Sequence, residues 1–259
     1  MIVRAGSARG YNHLVGGKDA LGSRRVLDEL CALLPKLPVA AKANAAFVHR
    51  AVEAAADAGV RQFLDLGCGL PGPGGRTVLS SARRHQSDAR VVYVDNDPSV
   101  MANARAIFAV PGYTACVEAD ALDVPRVVAA SGELLDFTQP TAIIMAALVH
   151  FWPDDLDPRD IVREYLAAFE SGFLILSVAC DDLLSAEVRA KALKLYAQLA
   201  PIYPFSSAAI LKLLEGLDIE EPGLVEASKW RPDPPLELDV GDAQFLAAMA
   251  RFSGGGPGS

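Results

Sequence analysis

Residues 62–75 read "QFLDLGCGLPGPGG", and what this stretch can hold decides how the rest of the chain is understood. Gly67, Gly69 and Gly72 form a G-x-G-x-x-G spacing, which in a strand-to-helix turn usually receives the pyrophosphate of a dinucleotide. Two neighbours argue against that use here. Asp65 ends the apolar run and sets an anion at the mouth of the loop, where it would repel a pyrophosphate and attract a cation. Pro71 and Pro73 stiffen the turn and delay the next helix to about Gly75, so Gly72 falls in a loop rather than in a close helix–strand contact. Gly67 and Gly69 keep their meaning, because glycine lets backbone approach a ligand closely.

The run before the loop belongs to a series. Apolar stretches at 61–66, 90–95, 113–119, 141–148 and 172–180 alternate with helical patterns near 75–85, 98–109, 125–131 and 158–169. Strands apolar on both faces, separated by helices, predict a parallel sheet covered on two sides. Right-handed crossovers then bring the C-terminal ends of all the strands to one edge, where ligands bind. Upstream, the periodicity predicts helices over 23–34 and 40–58, the second closed by Gly59. Downstream it predicts helices over 183–199 and 207–214 and a strand in "LVEASKW" (224–230). "DAQFLAAMARF" (242–252) fits either period. With no internal repeat and no Pro/Gly linker, one domain is expected: a helical extension over 1–59, a core over 60–252 and a flexible tail over 253–259.

Composition narrows the class. Of 259 residues, 51% are hydrophobic and 22% charged, and the formal net charge is −8. That is too apolar for disorder, and without a dense Lys/Arg run it speaks against nucleic acid or an anionic membrane as partner. Cys31, Cys68, Cys116 and Cys180 are far apart with no C-x-x-C pair, so reduced thiols and no metal site are expected. The opening segment has no signal-peptide pattern, and the longest apolar run, residues 142–149, is too short to span a bilayer. A cytoplasmic protein is the expectation, as a monomer or homodimer.

The other strand ends sharpen the ligand. Asp95 closes the second strand in "VVYVDNDP", where a carboxylate can accept both hydroxyls of a ribose; Asn96 and Asp97 read as turn residues. Asp120 follows the third strand and can accept an adenine amino group, with the Ala121 N–H within reach of a ring nitrogen. Asp95 alone would serve NAD equally well. Asp65, Asp95 and Asp120 together favour S-adenosylmethionine, whose sulfonium and α-ammonium are cationic and which carries no phosphate.

On these residues the chain resembles a class I S-adenosylmethionine-dependent methyltransferase. More narrowly, it resembles an actinobacterial S-adenosyl methyltransferase family long catalogued as a domain of unknown function. That family's R-x-Y-D-Y-L-L-G-G-K-D reads here "RGYNHLVGGKD", keeping Arg9, Tyr11, Leu14, Gly16, Gly17, Lys18 and Asp19. Its N-R-A-F-L-R-R-A-V reads "NAAFVHRAV", keeping Asn44, Phe47 and Arg50. F-L-D-I-G-T-G-L-P-T reads "FLDLGCGLPG", V-V-Y-V-D-N-D-P is intact, and the L-H-F segment reads "AALVHFWPDD". Asn12, His13, Ala20, Ala45 and His49 depart from the pattern in the region expected to face the substrate. The resemblance spans residues 7–177. It implies an α/β, Rossmann-like fold with a seven-stranded, mostly parallel sheet flanked by helices, its last strand antiparallel and inserted between the fifth and sixth. The stretch 242–252 is therefore expected as that strand. It also implies cofactor contacts from Gly67, Cys68, Gly69, Asn96 and Ala146, beside Asp65, Asp95, Asp120 and Ala121.

Methyl transfer is an in-line displacement that needs a base only if the acceptor begins protonated. His150, after the fourth strand, is a candidate base and equally a structural residue against the cofactor. His13 and Tyr11 are further candidates, on a segment able to cover the site as a lid. Lys18 and Arg50 could hold a substrate carboxylate, and Trp152 could wall the pocket. His49 and His85 are expected at the surface. The expected activity is methylation of a small molecule. A non-catalytic protein binding S-adenosylmethionine or S-adenosylhomocysteine is the alternative, with an NAD-dependent oxidoreductase behind it.

Overall fold

The central strands form because their apolar residues are buried on both faces, and their order follows from the crossovers. The computed structural model describes residues 6–17, 24–72, 74–232, 234 and 238–253. Strands β1 (Gln62–Leu66), β2 (Arg90–Asp95), β3 (Thr114–Glu118), β4 (Thr141–Ala146) and β5 (Ser171–Cys180) are mutually parallel. β8 (Gln244–Ser253) runs antiparallel to β5 along ten residue pairs. The sheet order is β3-β2-β1-β4-β5-β8-β6, with β6 at Asp218–Ile219. The chain leaves β1 to one side for β2 and returns to the other side for β4, so the direction of winding reverses between β1 and β4. A crevice opens there at the strands' C-terminal ends.

The expected antiparallel strand is present in the expected place. The position beyond it differs: β6 (Asp218–Ile219) and β7 (Val225–Glu226) both pair with the outer edge of β8. One strand position is thus filled by two short pieces, giving eight strands among the described residues where seven were expected. The predicted strand over 224–230 lasts only two residues, then turns into a 3-10 turn, Ala227–Lys229. That turn is held by Arg50, whose guanidinium donates to the Ala227 carbonyl (2.7 Å) and the Trp230 carbonyl (2.8 Å).

Helices start where side chains cap them. Asp97 accepts from Ser99 N ahead of Pro98 to open α5 (Pro98–Ile107), and Asp157 does the same for α7 (Pro158–Ala167). Ser185 and Ser206 open α8 (Ala186–Tyr196) and α9 (Ser207–Leu213). Each such cap stabilises by about 1 kcal/mol. The predicted helix over 75–85 is shortened to α4 (Val78–Ala82), because Thr77 and Ser80 form a reciprocal capping box after Gly74 and Gly75, both at positive φ.

Alternation along β1 sorts the two cores. Phe63 packs on the side of α3 (Leu37–Asp57), α4 and α5, while Leu64 and Leu66 pack on the side of α6 (Val124–Ser131), α7 and α9. Asp65 therefore faces the α3 side. A third cluster joins α1 (Gly6–Leu14), α2 (Arg24–Leu33) and α3 to Leu199, with Leu195 and Tyr196 of α8 against it.

Candidate functional site

At the end of β1 the chain cannot continue straight. Gly67 and Gly69 adopt φ of 69° and 62°, a left-handed conformation that costs other residues roughly 1–2 kcal/mol. A Cβ on Gly67 would also stand 2.8 Å from Leu148 Cδ1. The turn brings the N–H groups of Gly67 and Cys68 onto the Val94 carbonyl (2.8 and 2.9 Å). It also aims Gly69 N–H at Asp95 Oδ2 (3.0 Å), while Asp97 N–H takes Asp95 Oδ1 (3.0 Å). Asp95 thus orders the loop and keeps lone pairs for a ligand. One strand over, Asp120 accepts from Leu122 N–H (3.0 Å), and the Ala121 carbonyl accepts from the Tyr165 hydroxyl (2.8 Å).

These groups line one cavity of about 230 Å³. It includes Asp65, Gly67, Cys68, Gly69, Asp95, Asn96, Asp120, Ala121 and Ala146, so all nine residues expected at the cofactor are brought together. Tyr11 and Trp152 also reach it. Opposite the loop, Ala147 has φ of 51°, held by N–H bonds to the Ser177 carbonyl (2.9 Å) and hydroxyl (3.1 Å). Strain of this kind persists only where surroundings impose it, often at binding sites. The N-terminal helix closes the cavity: Asn12 Nδ2 donates to the Pro71 carbonyl (3.0 Å), and Arg9 reaches the Ser99 hydroxyl (3.4 Å).

The wall of the cavity is rich in carboxyl groups. Burial, then the neighbouring Asp95 charge, pushes the Asp65 carboxyl up to about 7. Burial also raises Asp95, against the lowering effect of the N–H groups of Asp97 and Gly69. Asp97, 7% exposed, lines the same space and leaves Oδ2 without a partner. Arg76 is on the wall, but Glu53 pairs with it. Such a set of acceptors fits a cation-bearing nucleoside and not a pyrophosphate. Among the described residues no group of three or more His, Cys, Asp or Glu is arranged to hold a metal ion.

Several expected site residues stand elsewhere. His150 does not line this cavity; it is 2% exposed beside a second one, and its Nδ1 accepts from Ala179 N–H (3.1 Å). Burial lowers its imidazole to about 3, so it is neutral and its accepting nitrogen is already used. Arg50 is spent on the carbonyls of the 3-10 turn and reaches neither cavity. His13 also lines neither. Lys18 lies outside the described residues. Tyr11 is present, yet its hydroxyl donates to the Ala41 carbonyl (3.1 Å) and accepts from Asn44 Nδ2 (2.8 Å), and burial pushes it up to about 12. It is a wall and a hydrogen-bonding group, not a ready base.

Conversely, His49 is not a surface residue. It lines the cavity with Nδ1 3.0 Å from the Ser81 hydroxyl, and burial, then Arg76, lowers it to about 4. Asn44, Ala45, Val48 and His49 form one face of α3 at i, i+1, i+4 and i+5, all lining the cavity. That helical stripe was the available signal. Asp97 and Tyr93 also line the cavity; their sequence signals, a turn and an apolar strand, carry no hint of it.

The pattern that defines the S-adenosyl methyltransferase family matches residues 2–253. The fold is similar to that of a DUF574-family protein of Streptomyces avermitilis, at 34% identity and a TM-score of 0.88 over 96% of this chain and 97% of that one. A candidate methyltransferase of Thermobifida fusca is similar at 30% identity and a TM-score of 0.87, over 95% and 94% of the two chains. The N-methyltransferase NodS of Bradyrhizobium japonicum, in complex with S-adenosylhomocysteine, shares the fold at 14% identity and a TM-score of 0.51, over 94% and 98%. Among curated proteins none matches the sequence. With a family pattern covering nearly its whole length and a carboxylate-lined crevice at the reversal of its sheet, this chain belongs to the S-adenosyl methyltransferase family and is an S-adenosylmethionine-dependent methyltransferase.

Proposed function

We propose that the 230 Å³ cavity binds S-adenosylmethionine with each strand end in a separate role, and that the methyl acceptor is a small molecule. The observation that carries this reading is the buried Asp65 and the half-buried Asp95 beside the left-handed Gly67–Gly69 turn. Asp65 accepts from the α-ammonium, and Asp95 accepts from the ribose hydroxyls. Asp120 and the N–H of Ala121 take the adenine edge. Gly67, Cys68 and Gly69 present backbone closely enough to touch the cofactor, with Asn96 and Ala146 completing the walls. Tyr11 and Trp152 flank the reacting end.

When bound, S-adenosylmethionine supplies a methyl group on a positively charged sulfur. The protein's part is then to hold the acceptor in line and keep water out. The helix α1, tied to the loop through Asn12 and Pro71, provides the cover. Neither Tyr11, held protonated, nor His150, whose Nδ1 already accepts from Ala179 N–H and whose imidazole burial lowers to about 3, is suited to take a proton, which favours an acceptor atom that is already nucleophilic at neutral pH.

Calorimetric titration with S-adenosylmethionine, S-adenosylhomocysteine and NAD tests the cofactor assignment. Saturable binding of both sulfur nucleotides without NAD binding is expected. An NAD response with neither sulfur nucleotide binding would overturn it. Transfer of labelled methyl groups into a fraction of small metabolites, rather than into macromolecules, tests the acceptor class.

A further inference from the structure

A second cavity, of about 100 Å³, lies on the other side of Tyr11 and Phe151 from the first; both residues line both spaces. Its walls come from elements far apart in sequence, including α2, α8 and the start of β8. The helix α8 explains why it exists. Leu193 and Ala192 turn toward this space, yet none of the residues of α8 is fully buried. Leu195, together with part of Ala192 and Tyr196, packs against the third cluster, so the remainder of this apolar face borders a hollow where protein interiors otherwise hold packed side chains.

The lining is aliphatic on the α2 and α8 sides and aromatic where Tyr11, His150, Phe151, Tyr196 and Phe245 meet. Tyr11 and Phe245 meet edge to face with centroids 6.3 Å apart, and His150 lies 6.1 Å from Phe245 and 4.5 Å from Phe151. Phe151 is in turn 6.0 Å from Tyr196. These are the separations at which rings attract one another, and a further ring inserted among them would gain the same contacts. The polar groups in the wall are largely engaged: His150 accepts from Ala179 N–H, the Tyr11 hydroxyl is bonded to Ala41 and Asn44, and Arg189 pairs with Asp181. His150 is uncharged, its imidazole lowered by burial to about 3. Among the described residues no unpaired charge on this wall selects for an ionised ligand. The hollow measures about 100 Å³ and is partly open, so a ring seats against its wall without having to be fully enclosed.

We propose that this second cavity is the acceptor pocket, and that it takes an uncharged aromatic ring whose nucleophilic atom passes between Tyr11 and Phe151 toward the methyl donor. The assignment rests on the cofactor reading of the first cavity. It makes Tyr11 and Phe151 specificity-determining residues, and it makes His150 a wall of the acceptor pocket.

The test uses the whole chain, first titrated with S-adenosylhomocysteine and then, in the loaded and unloaded forms, with indole, p-cresol and benzoate, followed by ligand-observed NMR. Indole and p-cresol should bind in both forms and benzoate at least roughly tenfold more weakly. Ala192→Phe fills the hollow from α8 and Ala243→Phe from the opposite wall. Each should weaken indole binding by roughly tenfold or more while leaving S-adenosylhomocysteine affinity as in the parent, which also reports an intact fold. Indole binding unaffected by both substitutions would overturn the proposal, as would benzoate binding as tightly as p-cresol. Failure of S-adenosylhomocysteine to bind the parent chain would instead remove the cofactor reading, a separate outcome of the same titration.

Discussion

A single carboxyl group links the chemistry of the site to pH. Asp65 is buried and its folded-state value is raised to about 7. A raised value means that its contribution to stability is fully present below the ordinary carboxylate range and is lost as pH rises through about 7. The ligand reverses this preference, because an α-ammonium beside Asp65 favours the ionised form. S-adenosylmethionine affinity is therefore expected to rise between about pH 6 and pH 8, with proton release on binding near the lower end. Calorimetry in two buffers of different ionisation enthalpy measures the release, and equal enthalpies in both would refute it. Asp65→Asn should abolish the pH dependence. Asp95→Ala should weaken binding by on the order of 1–3 kcal/mol, as expected for losing charged hydrogen bonds. It should also loosen the loop, since Gly69 N–H and Asp97 N–H both lose their acceptor. An undiminished affinity in that variant would remove Asp95 from the ribose.

At the scale of elements, the loop after β1 depends on backbone shape. Gly67→Ala adds a Cβ both in a left-handed conformation and 2.8 Å from a Leu148 methyl. A cost of about 1–3 kcal/mol is expected, shared between stability and cofactor affinity. Thermal unfolding with and without S-adenosylhomocysteine divides the two, and a variant unchanged in both would mean that Leu148 and the turn adapt freely. This turn was legible in the sequence because a carboxylate, two glycines and a strand end fall in fixed order. Asp95, Asp120 and Ala121 were legible for the same reason: in a parallel sheet the end of a strand already fixes the edge. Side-chain direction beyond the strand end was not legible. His150 sits in a 3-10 turn, and only the distant α8 and β8 show that it faces the second cavity. Arg50 is fixed by carbonyls 177 and 180 residues away, which no local pattern records. The split sixth position was hidden because two-residue strands leave no periodicity to read.

Across the whole molecule, opposing buried groups set the range of pH in which the fold is most stable. Burial lowers His150 to about 3 and His49 to about 4, so both are neutral in the folded chain near pH 7. For a histidine with a depressed folded-state value, the stabilising contribution is fully present above about 6.5 and is lost as pH falls toward the folded value. The unfolded chain then binds the proton that the folded chain refuses. At pH 5 the difference is at most about 2 kcal/mol for His150 on the scale of 1.36 kcal/mol per unit. Asp65 acts in the other direction, so stability without ligand is expected to peak on the acidic side of neutrality, and cofactor binding should move the peak upward by ionising Asp65. Urea unfolding at a series of pH values, with and without S-adenosylhomocysteine, measures both effects. His150→Asn places an amide oxygen where Nδ1 accepts from Ala179 and cannot titrate, so it should flatten the slope between about pH 6.5 and pH 5 and leave the high-pH limb alone. A slope unchanged by that substitution would show that the acid limb belongs to other groups.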